Sequence, residues 1–268
     1  LGAIAGDVIG SYYEHIRTKD YNFLLFRNRS ICTDDTKMTV AVAKWLLDTD
    51  RSSGSLVRLL QDFGRRYPGG YGRAFLYWVL SDNPQPYNSW GNGSAMRVSP
   101  VGFAAKDVEE AKRLSTAVTE ISHNHPEGMK GAEATAVAIV MARQGKTKAE
   151  IRAAMEAYYD LSTTVAEYRD RWDGHGREIC QIAVPQALVC FLEGEDFEDV
   201  IRNCISIGGD SDTIAAIAGG IAEAYFGIPE EFVTKARRFL DERLLQTADR
   251  FAAWTKQRNK TKNDTETA

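Results

Sequence analysis

The sequence predicts an all-α protein built as a single domain, and three observations support this. Apolar residues recur at three- and four-residue steps along much of the chain, as they do on the buried face of an amphipathic helix. Signals typical of β-strands are nearly absent. No linker rich in Pro, Gly or Ser divides the chain, so one all-α domain over residues 1–254 is the economical interpretation.

The first strongly periodic segment is a helix predicted over residues 36–47. Its apolar residues Met38, Val42, Trp45 and Leu46 fall on one face, which should be buried. Thr33 is a suitable N-cap, because its hydroxyl can accept a hydrogen bond from the first turn.

Eight further helices follow from similar signals. The segment 129–143 is rich in alanine, valine and isoleucine and ends before Gly145, which predicts a mostly buried helix. Pro229 followed by acids favours a helix start, since proline fits the first turn and acids complement the helix dipole. The predicted ranges are 55–66, 107–121, 129–143, 148–158, 184–192, 197–206, 213–226 and 229–251. Residues 255–268 are polar without apolar periodicity, so a disordered tail is expected there.

Composition narrows the function classes. The net charge of −4 argues against a surface made to grip nucleic acid or anionic lipid, so nucleic acid is considered only as a modified substrate. No apolar run approaches the roughly 20 residues of a membrane-spanning helix, and the first residues lack the basic flank of a secretory signal. We therefore expect a cytoplasmic protein, with no membrane partner and four free thiols. A monomer is expected, although no pattern in the sequence reports the oligomeric state.

Two acidic clusters carry the chemistry. The first, Thr33 to Thr36, contains Asp34 and Asp35 at the start of the first predicted helix. Adjacent helical residues diverge by about 100 degrees, so these carboxylates fit one ion each or one bridging carboxylate. The alternative is an ordinary N-cap with acids in the first turn.

The second cluster lies between Gly208 and Thr213 and contains Asp210 and Asp212. Carboxylates two residues apart in an extended turn point the same way, so both can converge on one place. The apolar helix that follows predicts a partly buried position, where unpaired carboxylates would repel each other. Oxygen ligands without a His or Cys pair select Mg²⁺, Mn²⁺ or Ca²⁺ over zinc. A calcium-like surface turn or a plain helix cap is the alternative.

Two glycine-containing loops are weaker signals. The loop from Gly91 to Arg97 can expose backbone N–H groups to a phosphate, and the loop from His123 to Gly128 offers two imidazoles. Each is by itself also typical of an ordinary turn. No nucleophilic triad is recognisable.

Taken in order, five segments resemble the ADP-ribosylglycohydrolase family, whose bacterial members include dinitrogenase reductase-activating glycohydrolase. The resemblance covers almost the whole chain. The segments are Gly2 to Ser11 with Glu14, Thr33 to Thr36, Asn88 to Arg97, His123 to Gly131, and Gly208 to Thr213.

The resemblance implies an orthogonal bundle of α-helices with two metal ions, usually Mg²⁺ and in some members Mn²⁺, at the base of a cleft. It implies metal ligands at Thr33, Asp34, Asp35, Asp210, Asp212 and Thr213. It implies catalytic roles for Glu14, Asp35 and Asp210. It implies contacts with ADP-ribose at Gly91, Asn92, Gly93, Ser94, His123, Glu127 and Gly128. The stretch 178–183 departs from the smaller, glycine-containing version that the resemblance leads us to expect.

The function expected from this resemblance is a metal-dependent ADP-ribosylhydrolase. It would cleave the glycosidic bond between the distal ribose of ADP-ribose and a protein side chain, a nucleic acid or a small molecule. Two alternatives stay open: an inactive ADP-ribose-binding protein, and another di-metal hydrolase that acts on a phosphoester.

Overall fold

Helices form nearly all of the regular structure. The structure is a computed structural model that describes the backbone of residues 1–171 and 178–266 and the side chains of residues 1–171 and 178–258. Within those ranges, pairing of extended segments is limited to one isolated antiparallel bridge between Gly91 and Ile179. The all-α prediction is confirmed.

The elements are α1 Gly2–Tyr13, α2 Asp34–Leu47, α3 Ser53–Arg66, α4 Arg73–Leu80, α5 Gly93–Met96, α6 Ser99–Ala104, α7 Val108–Thr119, α8 Pro126–Arg143, α9 Lys148–Met155, α10 Val165–Arg171, α11 Cys180–Glu193, α12 Phe197–Ser206, α13 Ser211–Phe226, α14 Glu230–Arg237 and α15 Glu242–Glu266.

One predicted helix is in fact two. The range 229–251 divides into α14 and α15, which are separated by a turn over residues 238–241. In this turn Asp241 accepts a hydrogen bond from the backbone N–H of Leu244, which satisfies a donor in the first turn of α15. The prediction of one continuous helix there is wrong because the capping ability of Asp241 was overlooked.

The last helix enters the range for which the sequence predicts a disordered tail. The helix α15 continues to Glu266, and residues 267–268 lie outside the described residues. The first turn beyond Trp254 makes side-chain contacts within the helix: Thr255 donates to the carbonyl of Ala252, and the Arg258 guanidinium lies 4.7 Å from the centre of the Trp254 ring. These local contacts explain a helix where apolar periodicity is lacking.

The helices α1 and α13 pack with almost no side chains between them. A Cβ atom added at Gly6 would lie 2.0 Å from the carbonyl oxygen of Ala215, and one added at Gly10 would lie 2.4 Å from the Cα of Asp212. Real Cβ atoms do not tolerate such distances, so only glycine permits this approach. Because Gly2, Gly6 and Gly10 recur at four-residue steps, they form one stripe along α1.

This close packing positions the predicted site. The second half of α1 lies against the beginning of α13, and the N-terminus of α2 joins them through hydrogen bonds to Asp7. Both acidic clusters therefore open helices at the same place, where the positive ends of helix dipoles favour carboxylates. No helix among the described residues is long and apolar enough to span a bilayer.

Candidate metal and substrate site

The structure brings acids from three helices into one cluster. Oxygen atoms of Asp7, Asp35 and Asp212 lie within 4.8 Å of one another, and so do oxygen atoms of Glu14, Asp210 and Asp212. Asp212 belongs to both groups, so the two groups are contiguous. The two acidic clusters of the sequence, far apart in the chain, thus meet in space, together with α1.

Asp7 holds the start of α2 in place by accepting hydrogen bonds from it. Its Oδ1 accepts a hydrogen bond from the Thr33 hydroxyl at 2.6 Å. Its Oδ2 accepts from the backbone N–H groups of Thr33 and Thr36, at 3.1 and 3.2 Å, and from the Thr36 hydroxyl. Both oxygens of this fully buried carboxylate are therefore engaged by the protein. Asp7 is not among the residues predicted from the sequence, although it lies in the first segment of the family resemblance.

Asp35, unlike Asp7, has a carboxylate oxygen that the protein does not hydrogen-bond. Its Oδ1 is buried and has no hydrogen-bond partner, although Thr33 Oγ1 lies 3.4 Å from its Oδ2. Burial raises the pKa of Asp35 well above its usual value, and the charges of Asp7, Asp34 and Asp210 raise it further. A buried carboxylate oxygen without a partner costs free energy unless a cation or donor supplies one. The oxygen is thus available to a ligand.

The Asp34 carboxylate points toward the loop before α4, away from Asp35. It is only partly buried, and a Cβ added at Gly70 would lie 2.3 Å from its Oδ1, so its carboxylate lies against the loop before α4. Burial, and then the charge of Asp7, raise the pKa of Asp34 to about 7. The divergence of neighbouring helical side chains thus separates Asp34 from Asp35, as the sequence predicts.

The N-terminus of α13 presents the second acidic cluster. Gly208 and Gly209 both have positive φ, of 75 and 78 degrees, which lets the chain turn sharply into the helix. Asp210 is the N-cap residue, and its Oδ2 accepts a hydrogen bond from the Asn92 side chain at 2.5 Å. Asp212 is in the first turn, where burial and then the charge of Asp210 raise its pKa well above the usual value. The two carboxylates converge as predicted, but as a cap and a first-turn residue instead of neighbours in an extended turn.

Thr213 and Thr33 complete the predicted ligand set. Both are buried. The Thr213 side chain lies near the carboxyl of Asp35 and lowers the pKa of that group against the larger effect of burial. The Thr33 hydroxyl caps α2 by accepting from the N–H of Asp35 at 3.2 Å, while it donates to Asp7. All six predicted ligand positions therefore lie at this junction or on its edge.

Glu14 lies at the outer side of the cluster. It follows the last residue of α1, and its side chain is 34% exposed. Burial and the charge of Asp210 raise the pKa of Glu14. Glu14 thus combines access to solvent with an increased affinity for a proton, and it lies next to Asp210 and Asp212.

The glycine loop before α5 is hydrogen-bonded to the same acidic cluster. Asn92 connects the loop to α13 through its bond to Asp210. Ser94 is fully buried, and its hydroxyl bonds the carbonyls of Gly91 and Gly128 at 3.2 and 2.8 Å. Ser94 therefore holds the loop in shape and does not face outward.

The buried His123 ring packs against this loop at Gly93. Its Nε2 would lie 3.1 Å from a Cβ added at Gly93, and its Nδ1 is 2.9 Å from the Ser122 hydroxyl. Burial, and then the charge of Arg97, lower the pKa of His123 well below its usual value. The imidazole is therefore neutral at physiological pH and acts as a packing and hydrogen-bonding group.

Two other predicted substrate contacts have different surroundings. Glu127 forms an ion pair with Lys130 at 2.8 Å and lies in the first turn of α8. A Cβ at Gly128 would lie 2.6 Å from the carbonyl oxygen of Ser89, so Gly128 permits the close contact between the two loops. Neither residue belongs to the carboxylate groups described above.

Sequence reasoning also missed two residues beside the glycine loop. Glu178 accepts a hydrogen bond from the N–H of Asn92 at 3.1 Å, and its side chain feels the charge of Asp210. Trp90 is 47% exposed and packs edge-on against the His125 ring, with ring centres 5.1 Å apart. The sequence draws attention to the stretch 178–183 through its departure from the family pattern, but it does not single out Glu178. For Trp90 the signal was an aromatic residue directly before the glycines.

The residues fit hard divalent cations. The donors are carboxylate and hydroxyl oxygens, which Mg²⁺ and Mn²⁺ prefer. The Oδ1 of Asp35 has no hydrogen-bond partner in the protein. Burial, and then repulsion from neighbouring carboxylates, raise the pKa values of Asp35 and Asp212, and a bound cation would offset both effects. By contrast, the four hydrogen bonds to Asp7 leave it as a support of the site.

Comparisons with known proteins identify the family of the chain. A family model described as ADP-ribosylglycohydrolase matches residues 1–261. The chain is 25% identical to ADP-ribosylhydrolase ARH3 of Homo sapiens over 85% of this chain and 84% of that protein. It is 28% identical to an uncharacterized protein of Archaeoglobus fulgidus, over 90% and 92% of the two chains.

A solved structure shares the fold. It is described as an ADP-ribosylglycohydrolase-related protein complex, and it superposes with a TM-score of 0.70 at 23% sequence identity. The superposition covers 92% of this chain and 93% of that one. The expected bundle of the ADP-ribosylglycohydrolase type is therefore confirmed.

Proposed function

The chain belongs to the ADP-ribosylglycohydrolase family and is an ADP-ribosylhydrolase, and on that premise we propose that it uses two divalent cations, Mg²⁺ or Mn²⁺, to cleave the bond between the distal ribose and its acceptor. The observation that carries the proposal is the buried, unpartnered oxygen of Asp35 among carboxylates from three helices. An enzyme without cations at this place would keep an uncompensated cluster of buried acids.

The proposed ligands are the six residues predicted from the sequence. Asp35, Asp210 and Asp212 would supply the central carboxylates, with Thr33, Asp34 and Thr213 at the edges. Bound cations would supply positive charge that polarises ribose hydroxyls and acidifies a water molecule. Asp7 would keep the start of α2 in register, and Asn92 would orient Asp210 by its hydrogen bond.

The protein's own acid for proton transfer is proposed to be Glu14. It is half-buried and borders the cluster. Its raised pKa makes it bind a proton more readily than a free carboxyl does, which suits a group that must accept and donate protons. Hydrolysis adds water to the anomeric carbon and returns the acceptor with a proton, through a transition state with oxocarbenium character. Glu14 would accept the proton from the attacking water or deliver it to the leaving acceptor.

The nucleotide part of the substrate is proposed to lie along the glycine loop. The backbone N–H groups of Gly93 and Ser94, at the start of α5, can meet phosphate oxygens, whereas those of Gly91 and Asn92 already donate to Ser89 Oγ and to the Glu178 carbonyl. The shape of this loop is fixed by the buried His123 and by Gly128. The exposed indole of Trp90 offers a flat face on which a purine can stack. Glu127, in the first turn of α8, would contact the substrate on the same side of the site.

The test is release of ADP-ribose by the purified protein from a panel of ADP-ribosylated arginine, serine and nucleic-acid substrates, with Mg²⁺ or with EDTA. Asp210→Ala should lower turnover by at least about a thousandfold, as expected when a main charge-stabilising group is lost. Asp82→Ala, a change at an exposed aspartate, should leave turnover unchanged.

Four outcomes would contradict the proposal. Unchanged release by Asp210→Ala would overturn the metal assignment, and so would full activity in EDTA. Release of inorganic phosphate in place of ADP-ribose would indicate phosphoester chemistry. Binding without cleavage of every substrate would indicate an inactive binder.

A further inference from the structure

Glu178 lies beside the proposed site in a fixed backbone position. Its carbonyl accepts the N–H of Asn92 at 3.1 Å, and the N–H of Cys180 donates to the carbonyl of Trp90 at 3.0 Å. These two bonds flank the bridge between Gly91 and Ile179, so residues 178–180 are tied to the glycine loop through their backbone. The Asn92 side chain in turn bonds Asp210. One residue therefore separates Glu178 from the acidic cluster.

The Glu178 side chain is exposed, and it interacts electrostatically with the acids of the site. Burial of part of the side chain and the charge of Asp210 raise its pKa, and the charge of Glu178 contributes in turn to the raised pKa of Glu14. Two carboxylates, Glu14 and Glu178, thus border the cluster where it meets solvent.

The local charge balance stays negative at this border. Seven carboxylates gather here, and two divalent cations would neutralise four of them. They are Asp7, Glu14, Asp34, Asp35, Glu178, Asp210 and Asp212. Lys37 partly offsets this charge at Asp34, where it lowers the pKa against the larger effect of burial. A leaving group at the border would therefore be in a negative potential.

We propose that Glu178 is a specificity-determining residue, which favours acceptors that carry positive charge, such as an arginine guanidinium, over neutral acceptors such as serine. The inference rests on the proposed function, because it concerns the acceptor side of the same reaction. A guanidinium at the border would gain attraction from Glu178 and Glu14, whereas a neutral hydroxyl acceptor would gain little.

The test compares two substrates for each protein: an ADP-ribosylated arginine peptide and the matching ADP-ribosylated serine peptide. For Glu178→Gln, which keeps the size of the side chain, kcat/KM for the arginine substrate should decrease about five- to tenfold, the range expected for a partly exposed charge contact. The serine substrate should change by less than about twofold. Glu178→Lys should decrease the arginine value further, since it replaces attraction with repulsion.

Two controls separate charge from structure. Glu230→Gln makes the same chemical change at an exposed residue of the first turn of α14 and should alter neither substrate. Added salt should reduce the arginine preference of the unmodified protein, and should reduce it less in Glu178→Gln, because screening weakens charge contacts at an exposed border.

The outcomes distinguish the inference from the function on which it rests. An equal decrease for both substrates would make Glu178 a residue of general importance and overturn the proposed selectivity. Cleavage of the serine substrate with no cleavage of arginine by the unmodified protein would also overturn it. If the unmodified protein cleaves neither substrate, nor any other of the panel, the proposed function itself fails.

Discussion

Replacing Asp34 with asparagine should stabilise the protein at pH 8 when divalent cations are removed. The pKa of Asp34 is raised from 3.8 to about 7, with burial as the largest cause and the charge of Asp7 next among those that raise it. A carboxyl whose pKa is higher in the folded state binds its proton more tightly there. Folding stability therefore decreases as the pH rises from about 4 through 7.

The magnitude follows from that range. Each pKa unit corresponds to about 1.4 kcal/mol, so moving a carboxyl from 3.8 to about 7 costs at most about 4 kcal/mol of unfolding free energy at pH 8. Asparagine has no charge to lose, and it also relieves the repulsion that Asp34 exerts on Asp35. We expect a gain of about 1 to 4 kcal/mol, because neighbouring acids share part of the effect.

The assay is urea unfolding followed by tryptophan fluorescence, in EDTA, at pH 8 and at pH 5. The advantage of Asp34→Asn should be largest at pH 8 and less than half as large at pH 5, where the folded protein still holds the proton but the unfolded chain has begun to lose it. Asp82→Asn, at an exposed position, serves as the control and should show no such dependence. Mg²⁺ should narrow the difference at pH 8, since a bound cation compensates the wild-type charge. A variant that is no more stable than wild type at pH 8, or equally favoured at pH 5, would refute the reasoning.

Three further changes test other parts of the structure. Asp7→Ala should lower the free energy of unfolding by about 3 kcal/mol or more, since it leaves buried donors of α2 unsatisfied; stability within about 0.5 kcal/mol of wild type would contradict the bracing role. Gly6→Ala should cost about 3 kcal/mol because its Cβ would lie 2.0 Å from the Ala215 carbonyl, whereas Gly54→Ala, whose Cβ would meet only the end of the Arg58 side chain at an ordinary contact distance of 3.5 Å, should be neutral in thermal unfolding. Trp90→Ala should raise the Kd for ADP-ribose about tenfold without changing the melting temperature, and an unchanged Kd in calorimetry would remove the stacking surface from the site.

Helices with a clear apolar face and a capping residue could be predicted from the sequence. The helix α12 begins and ends where its periodicity predicts, because Asp196 caps it through the N–H of Asp199 and its buried side chains fall on one face. The prediction for α8 found the buried body of the helix but missed its first turn, which Pro126 opens. Local signals suffice where the helix is defined by its own residues.

The helix α1 could not be predicted in this way. Its glycines weaken helix propensity in isolation, and they are favourable only because another helix backbone packs against them. Short helices such as α5 and α6 also lack the length for a periodic signal. These elements are defined by tertiary contacts, which periodicity does not encode.

The candidate site shows the same division. Acids at the starts of α2 and α13 could be recognised as candidates because their clustering is local, and the family resemblance linked them. Glu178 could not be assigned, since its place beside Asn92 depends on a backbone bridge between segments far apart in sequence. The convergence of Asp210 and Asp212 was predicted, but its geometry depends on a helix cap that the extended-turn argument did not anticipate.

Hydrogen bonding, and not residue type, distinguishes the roles of the buried aspartates. Asp7 and Asp35 are both buried at the same junction, and both lie within reach of Asp212. The oxygens of Asp7 accept four hydrogen bonds from one helix start, so a cation there would compete with donors that the fold already supplies. Asp35 has one oxygen with no such donor. Loss of Asp7 should therefore impair folding with or without Mg²⁺, whereas Asp35→Asn should leave the cation-free protein at least as stable as wild type and abolish the stabilisation that Mg²⁺ confers. Equal behaviour of the two variants in thermal unfolding with and without Mg²⁺ would show that supply of hydrogen bonds does not separate a supporting carboxylate from a ligand in this cluster.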